Sequence, residues 1–157
     1  MKKKVKKRKS ASGVKKGIIG WREWASLPEL GVSSIKVKVD SGAKTSALHA
    51  SKIEMFKAGR KKKVRFRLHP RQKDKKSWVT AEADFVENRW ITSSTGTRTL
   101  RPVIKTKIKM AGEEWTIEVT LVNRDMMGFR MLLGREGFRK KFLVDASKSY
   151  LGGRKSE

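Results

Sequence analysis

Cysteine is absent from the 157 residues, and histidine occurs only twice, as His49 and His69. Without cysteine the chain can form neither disulfides nor thiolate metal sites, so we expect a cytoplasmic location. A catalytic zinc usually has about three protein ligands, and the sequence contains no H-E-x-x-H pattern. We therefore expect structural imidazoles and no cofactor. A site of both histidines and one carboxylate stays open if the fold brings distant segments together.

Acidic residues are also scarce, because 15 Asp and Glu stand against 40 Lys and Arg, for a formal net charge of +25. A charge of this size predicts attraction to polyanions such as RNA, anionic lipid or acidic polypeptides. Long apolar runs are lacking too, and none approaches the roughly 20 residues of a membrane-spanning helix. We therefore expect a protein that does not enter a membrane.

The positive charge is densest at the start of the chain, where residues 1–17 contain nine Lys or Arg and no acid. This segment lacks the run of about 7–15 apolar residues that a secretory signal needs. We predict a disordered basic tail over 1–17, one folded domain over 18–152 and a short tail over 153–157. The cationic run Lys2–Lys9 has no aromatic residues, which favours nonspecific contact with RNA or ribosomes over base recognition.

Alternation of apolar and polar residues predicts a mostly β fold after the tail. In the clearest example Ile35, Val37 and Val39 share one face of a strand, and Lys36 and Lys38 lie on the other. The same reasoning predicts further strands over residues 64–68, 77–86, 103–110 and 114–122. The last two are expected to form a hairpin across the Ala-Gly-Glu sequence that separates them.

Helical signals are weak. A short helix is predicted from Arg135, and the hydrophobic period over 47–57 is ambiguous between helix and strand. Residues 58–63 and 93–97 are polar and predict loops. Small domains commonly use tryptophan to anchor the core, so we expect this role rather than base stacking for all five tryptophans, which are Trp21, Trp24, Trp78, Trp90 and Trp115.

The most suggestive chemical pattern is Asp40, which ends the alternating strand and is followed at once by Ser41 and Gly42. Glycine permits a sharp turn, while a backbone N–H and the Ser41 hydroxyl can donate hydrogen bonds that keep the carboxylate ionised and oriented. An ordinary turn is the alternative, since Asp, Ser and Gly are common in turns.

A second segment, residues 129–138, is an apolar strand that ends in Leu-Leu-Gly-Arg and a helix-capable turn. A strand ending in Asp-Ser/Thr-Gly-Ala, followed much later by two bulky apolar residues and Gly-Arg, resembles the single-lobe retropepsin-like aspartic peptidases. The sequences G-W-R-E-W at 20–24, V-D-S-G-A-K-T-S-A-L-H-A at 39–50, N-R-D at 123–125 and R-M-L-L-G-R at 130–135 are similar to a bacterial subgroup labelled ATP-dependent zinc proteases.

The resemblance implies an all-β fold with a minor helix, a small closed acid-protease-like barrel of a single lobe. It implies Asp40 as the catalytic carboxylate, supported by Ser41 and Gly42, and a homodimer in which each subunit contributes one such aspartate. If one subunit works alone, Asp125 or Asp84 would have to supply the second carboxylate. Residues 40–46 lack the glycine spacing of a phosphate loop, so we expect no nucleotide site.

Where related peptidases often have Asp after the Asp-Thr-Gly-Ala sequence, this chain has Lys44, which adds a cation beside the expected site. We expect substrate contacts from Lys44, Thr45, Ser46, Arg65, Arg67 and Arg135. Further cations that could line the same groove are Arg60, Lys61, Lys62, Lys63, Arg98 and Arg101. Scattered cations are also typical of a solvated strand face, and this alternative stays open.

A peptide of consecutive glutamates would suit such a groove. The resemblance points the same way, because members of the subgroup are associated with ATP-grasp ligases that attach glutamate to proteins. We therefore expect an aspartic-type peptidase that trims acidic, glutamate-rich peptides or protein tails. The alternatives are a non-catalytic basic β-barrel that binds RNA or ribosomes, and a zinc-dependent peptidase. The regions 58–63 and 93–97 are both candidates for the flap.

Overall fold

A computed structural model describes residues 15–71, 77–124, 126 and 128–153, so most of the predicted basic tail lies outside it. The described residues form a 3-10 turn (Pro28–Leu30), a short helix α1 (Arg135–Phe138) and ten strands. The strands are β1 (Gly17–Gly20), β2 (Arg22–Leu27), β3 (Val32–Asp40), β4 (Ser46–Ala58), β5 (Lys61–Leu68), β6 (Val79–Thr92), β7 (Arg98–Met110), β8 (Glu113–Val122), β9 (Met131–Gly134) and β10 (Phe142–Asp145).

Strand pairing closes the main sheet into a barrel. Strand β2 pairs with β3, β3 with β9, β9 with β4, β4 with β8 and β8 with β7. Strand β7 then returns to β2 through the pair Ser26 and Lys109, which completes the circuit. Strands β5 and β6 form an arm between β4 and β7. The predicted all-β closed barrel with a minor helix is confirmed.

The barrel interior is filled by the apolar residues whose alternation predicted the strands. Ile35, Val37 and Val39 are 1%, 0% and 6% exposed, and Phe66 and Leu68 on β5 are equally buried. These side chains belong to one continuous core, and removing their surface from water is the main driving force for the fold. Strands β1 and β10 form a separate two-stranded parallel sheet.

Three hairpins test the predicted turns. Between β7 and β8 the turn consists of Ala111 and Gly112, both with positive φ (52° and 81°), as tight two-residue hairpins require. The predicted hairpin and the loop over 93–97 are confirmed. The predicted loop over 58–63 is wrong in extent, because only Gly59 and Arg60 separate β4 from β5. Gly59, at φ 66°, allows the short turn.

The ambiguous segment 47–57 is strand rather than helix. It lies within β4, which pairs with β5, β8 and β9 along its length. Leu48 and Ala50 point into the core and are completely buried. Pairing with three neighbouring strands determines the conformation of this segment. Neither the hydrophobic period nor the strand propensity of the local sequence shows which distant strands will pair with it.

The expectation that all five tryptophans anchor the core is wrong for Trp78 and Trp90, which are 51% and 56% exposed. Arginines stack on their faces instead, with the Arg67 guanidinium 4.7 Å from the Trp78 ring and that of Arg98 4.8 Å from the Trp90 ring. The other three are partly buried against aromatic neighbours, as with Trp115, whose ring centroid is 5.6 Å from that of Phe142.

A buried carboxylate ties the end of the described chain to its beginning. Glu23 on β2 is fully buried, and its two oxygens accept hydrogen bonds from the backbone N–H groups of Gly20 (2.6 Å), Leu151 (2.9 Å) and Gly152 (2.8 Å). The G-W-R-E-W sequence therefore has a structural role.

A membrane-crossing helix is not found in the described part of the chain, whose helical segments are three and four residues long.

Candidate active site

Asp40 is the last residue of β3, and its side chain is partly exposed at the edge of the barrel. The Gly42 N–H donates a hydrogen bond to Asp40 Oδ1 (2.9 Å), and the Ala43 N–H lies 3.3 Å from the Asp40 carbonyl oxygen. Within the described ranges the carboxylate forms no ion pair, and the exposed Ser41 hydroxyl forms no hydrogen bond. The turn thus orients a carboxylate that remains accessible to water and substrate.

The two segments that the sequence singled out lie side by side. Strand β9 runs parallel to β3, and Gly134 is the register partner of Asp40. Beyond β9, the Arg135 N–H donates to the Ala43 carbonyl (2.7 Å), and the Arg135 guanidinium donates to the Ser41 carbonyl (3.0 Å). The side chain of Arg135 therefore braces the turn after Asp40, which is a positioning role.

The absence of a side chain at Gly134 allows this close approach. A Cβ atom there would lie 2.6 Å from the backbone carbonyl of Thr45, which no real contact allows. Ser46 contributes from the other side, because its buried hydroxyl accepts a hydrogen bond from the Gly134 N–H (3.0 Å). The β9–α1 junction is therefore packed directly against the segment that follows Asp40.

Changing Gly134 to alanine should destabilise the protein and displace the Asp40 turn. We expect a loss of about 1–3 kcal/mol, the usual cost of inserting a methyl group into a filled space. Chemical denaturation of the variant measures this loss. Gly17→Ala is the matched comparison, because its Cβ would meet only the ring of Phe142, at 3.2 Å. Equal stability of the two variants would contradict the role given to Gly134.

A cavity of about 690 Å³ opens beside the Asp40 turn. Lys44, Thr45 and Ser46 contribute to its lining, and the remaining lining residues come from β8, α1, the turn that follows α1 and, through Arg89, β6. Asp40 does not itself line the cavity. Sequence reasoning missed four of its cations, Arg89, Arg139, Lys140 and Lys141, although the Arg-Lys-Lys run directly after the predicted helix was a usable signal.

Some of these cations are neutralised by nearby carboxylates. Arg89 contacts Glu87 and Glu118, and the hydrogen bond to Glu87 raises the pKa of the Arg89 guanidinium against the opposing effect of its partial burial. Lys141 pairs with Glu113 at 3.7 Å. By contrast Lys44 and Lys140 form no ion pair in the part of the chain that the structure describes.

The other predicted substrate-binding cations lie elsewhere. Arg65 is on β5, where it pairs with Glu82 at 2.8 Å and more loosely with Glu54, and Arg67 on the same strand stacks on Trp78. Arg101 is only 9% exposed, and burial lowers the pKa of its guanidinium. The fold therefore does not place Arg101 on an open groove, whereas Lys44, Thr45, Ser46 and Arg135 gather around the turn after Asp40.

A second carboxylate within one chain has little support. Asp84 on β6 forms an ion pair with its cross-strand neighbour Lys63 (3.3 Å), in the arm made by β5 and β6. Asp125 lies outside the described residues. Among the described residues, Asp40 is thus the one carboxylate of these candidates that lies in the setting predicted from the sequence.

The two histidines come together, with ring centroids 6.0 Å apart. His49 Nδ1 lies 2.9 Å from the Arg124 carbonyl oxygen, and His69 Nε2 lies 3.2 Å from the Ser51 hydroxyl. No third histidine, aspartate or glutamate joins them closely enough to hold a metal ion among the residues described. This donor set does not fit the zinc site that the subgroup label implies.

Comparison with known families identifies the family and agrees with the fold. The model of the RimB-like family, described as retropepsin-like aspartic endopeptidase RimB, matches residues 18–155. The chain belongs to this family. The match includes both segments around the candidate site, and it agrees with the closed all-β barrel. The resemblance drawn from the sequence is thereby confirmed, and the RimB-like chain has the fold of a retropepsin-like aspartic peptidase.

Curated relatives of this RimB-like chain carry a different name. Proteins from Shewanella pealeana and Desulfotalea psychrophila, each named "Probable alpha-L-glutamate ligase", are 47% and 45% identical over 142 and 132 residues. The alignments cover 90% and 84% of this chain but only 31% and 28% of those proteins. The chain thus spans about a third of the length of the curated relatives it matches.

A solved structure shares the architecture. The crystal structure of a Legionella pneumophila protein of unknown function superposes with a TM-score of 0.71 at 26% identity. The superposition covers 87% of this RimB-like chain and 98% of the other protein. The similarity extends over nearly the whole of that protein.

Proposed function

We propose that this chain is an aspartic-type peptidase that trims glutamate-rich peptides or protein tails, with Asp40 as its catalytic carboxylate. The observation that carries the proposal is the exposure and hydrogen bonding of the Asp40 carboxylate. Its carboxylate is partly exposed, oriented by the Gly42 N–H and free of ion pairs within the described ranges. Glu23 differs in this respect, because its carboxylate is fully buried among three backbone donors.

The proposed chemistry needs two carboxylates that share one proton. The ionised carboxylate takes a proton from water as the resulting hydroxide adds to the peptide carbonyl, and the protonated one hydrogen-bonds the carbonyl oxygen. Collapse of the tetrahedral species breaks the C–N bond, and the amine leaves with a proton from the pair. Because the described part of the chain offers one suitable aspartate, we assign the second to Asp40 of another copy.

A pair of exposed apolar side chains supports a homodimer. Ile18 on β1 and Leu143 on β10 are register partners, and each is 57% exposed. Two adjacent exposed apolar side chains on a two-stranded sheet form a suitable contact for a second copy. The Val39 N–H donates to the carbonyl of Trp21, the residue after β1, and this bond links the end of β1 to the strand that carries Asp40.

Charge supports an acidic substrate. The chain has a formal net charge of +25, and Lys44 lies four residues after Asp40 without an ion pair within the described ranges. The names of the curated relatives point to glutamate chemistry, and a ligase that adds glutamate forms the kind of acidic peptide that this site would hydrolyse. We place the reaction in the cytoplasm, in keeping with the absence of cysteine.

Peptide hydrolysis at two salt concentrations tests the substrate class. We expect hexaglutamate to be cleaved at least about tenfold faster than hexaglutamine at low ionic strength, because the basic site attracts the charged peptide. Raising the salt to about 0.5 M should reduce this preference by screening the charges. Equal cleavage of both peptides at every salt concentration would contradict an acidic substrate.

A further inference from the structure

We propose that the cavity beside Lys44 is a second binding site, which holds an extended acidic segment of the substrate away from the bond that is cleaved. The inference rests on the proposed function and assigns a role to a space that Asp40 does not line. The cavity begins at Lys44 and continues along β8 to the turn after α1. A peptide whose bond lies at Asp40 could therefore continue into it.

The shape of one wall favours an extended chain over a compact anion. Strand β8 pairs with β4 only from Val119 onward, where the first register pair is Ser46 and Val119. Among residues 15–71, 77–124, 126 and 128–153, no strand pairs with the earlier part of β8 on that side. Thr116, Ile117 and Glu118 belong to this stretch, and all three line the cavity. An added peptide strand can hydrogen-bond to such an edge, as in β-strand addition.

The charge of the walls fits an acidic peptide. Five cations line the cavity, Lys44, Arg89, Arg139, Lys140 and Lys141, against two carboxylates, those of Glu118 and Glu136. Arg139 bonds to Glu136 (3.2 Å), Arg89 bonds to Glu118 (3.0 Å), and Lys141 pairs with Glu113 (3.7 Å), which does not line the cavity. This leaves Lys44 at one end and Lys140 among the residues after α1 as the cations without an ion pair within the described part. They are suitably placed to bind side-chain carboxylates of a peptide.

The cavity also has an apolar part that suits the methylene groups of glutamate. Trp115, Ile117 and Phe138 all contribute to its lining, and the last two are buried. The Trp115 indole N–H donates to the Gly137 carbonyl (2.8 Å), which fixes the ring between β8 and α1. A ring that is already held in place before the peptide arrives lowers the entropy cost of binding.

Binding of fluorescently labelled hexaglutamate to the Asp40→Asn protein tests the proposal without turnover. We expect Lys140→Glu to raise the Kd by at least about fivefold, because it replaces an attraction with a repulsion. Lys148→Glu is the matched control, since it makes the same charge change at an exposed position after β10 that does not line the cavity. We expect the control to change the Kd by less than about twofold. Equal weakening by both variants would overturn the proposal, because it would show attraction by net charge alone.

A second peptide tests the strand edge. Hexaglutamate with alternating L and D residues carries the same charge but cannot pair as a regular strand with β8. We expect it to bind at least about fivefold more weakly than the all-L peptide, and equal affinity would overturn strand addition.

The experiments also distinguish a failure of the proposed peptidase function from a failure of the cavity site. If the wild-type protein hydrolyses no peptide while Lys140→Glu still selectively weakens binding, the cavity site stands and the peptidase assignment falls.

Discussion

Replacing Asp40 with asparagine is expected to lower the rate of hexaglutamate hydrolysis by about 10²- to 10⁴-fold, the usual contribution of a general base. The amide has the size of the carboxylate but cannot accept the proton from water. The fold should survive, because the amide oxygen can still accept the Gly42 N–H bond. Steady-state kinetics measures the loss, and a melting temperature close to that of the wild type shows that the loss is not caused by unfolding.

Mixing the same variant with wild-type protein tests the shared site. If two copies form one site and exchange freely, adding an equal amount of Asp40→Asn protein should reduce the wild-type activity to about half, because half of the wild-type subunits then sit in mixed dimers that lack one carboxylate. A chain that works alone would keep its full activity in the mixture. Such a result would require a second carboxylate from the same chain and would contradict the homodimer.

The same variant separates peptidase function from the second candidate, a non-catalytic RNA-binding barrel. Two exposed tryptophans, Trp78 and Trp90, each with an arginine on its face, favour that candidate because bases stack on such surfaces. RNA binding without any peptide hydrolysis, unchanged by Asp40→Asn, would support it over the peptidase. Hydrolysis that disappears with Asp40 would support the peptidase, whether or not RNA also binds.

Replacing Glu23 with glutamine is expected to destabilise the protein by about 2–3 kcal/mol. The carboxylate accepts three backbone N–H bonds in a fully buried position, and an amide NH₂ group in place of either oxygen would face donors. A buried N–H left without an acceptor costs about 1–3 kcal/mol. Urea denaturation followed by tryptophan fluorescence measures the change in the free energy of unfolding.

The control for this prediction is Glu29→Gln, which makes the same chemical change at an exposed position in the 3-10 turn. We expect it to alter the free energy of unfolding by less than about 0.5 kcal/mol, as surface substitutions usually do. If both variants unfold at the same urea concentration, the three hydrogen bonds of Glu23 contribute no more than solvent contacts, and its structural role is wrong.

Sequence reasoning identified the parts of the fold that depend on local pattern. Strict alternation along residues 35–39 predicted β3, because one face of that strand is buried and the other is not. The Asp-Ser-Gly and Leu-Leu-Gly-Arg segments were paired through family resemblance, and the structure shows why they belong together. Gly134 lies beside Asp40 in a parallel register, with no room for a side chain.

What the sequence could not show depends on contacts between distant segments. The cavity cation Arg89 comes from β6, about 45 residues beyond Lys44, and only the closed barrel places it near the turn. The hydrophobic period along β4 is ambiguous in the sequence because three different strands pair with different stretches of it. The exposure of Trp78 and Trp90 was missed for a related reason, since composition alone does not report which aromatic side chains an arginine covers.

The hydrogen bonds of Glu23 have a geometric consequence. Gly20 and Leu151 donate to the same oxygen atom, so the polypeptide enters and leaves the barrel within a few ångströms of one place. Modules with adjacent ends can be inserted into or joined to other chains without stretching either connection. A rearranged version in which Gly17 and Gly153 are joined by a short glycine-rich segment, and new ends are opened in the turn at 93–97, should therefore keep the same barrel.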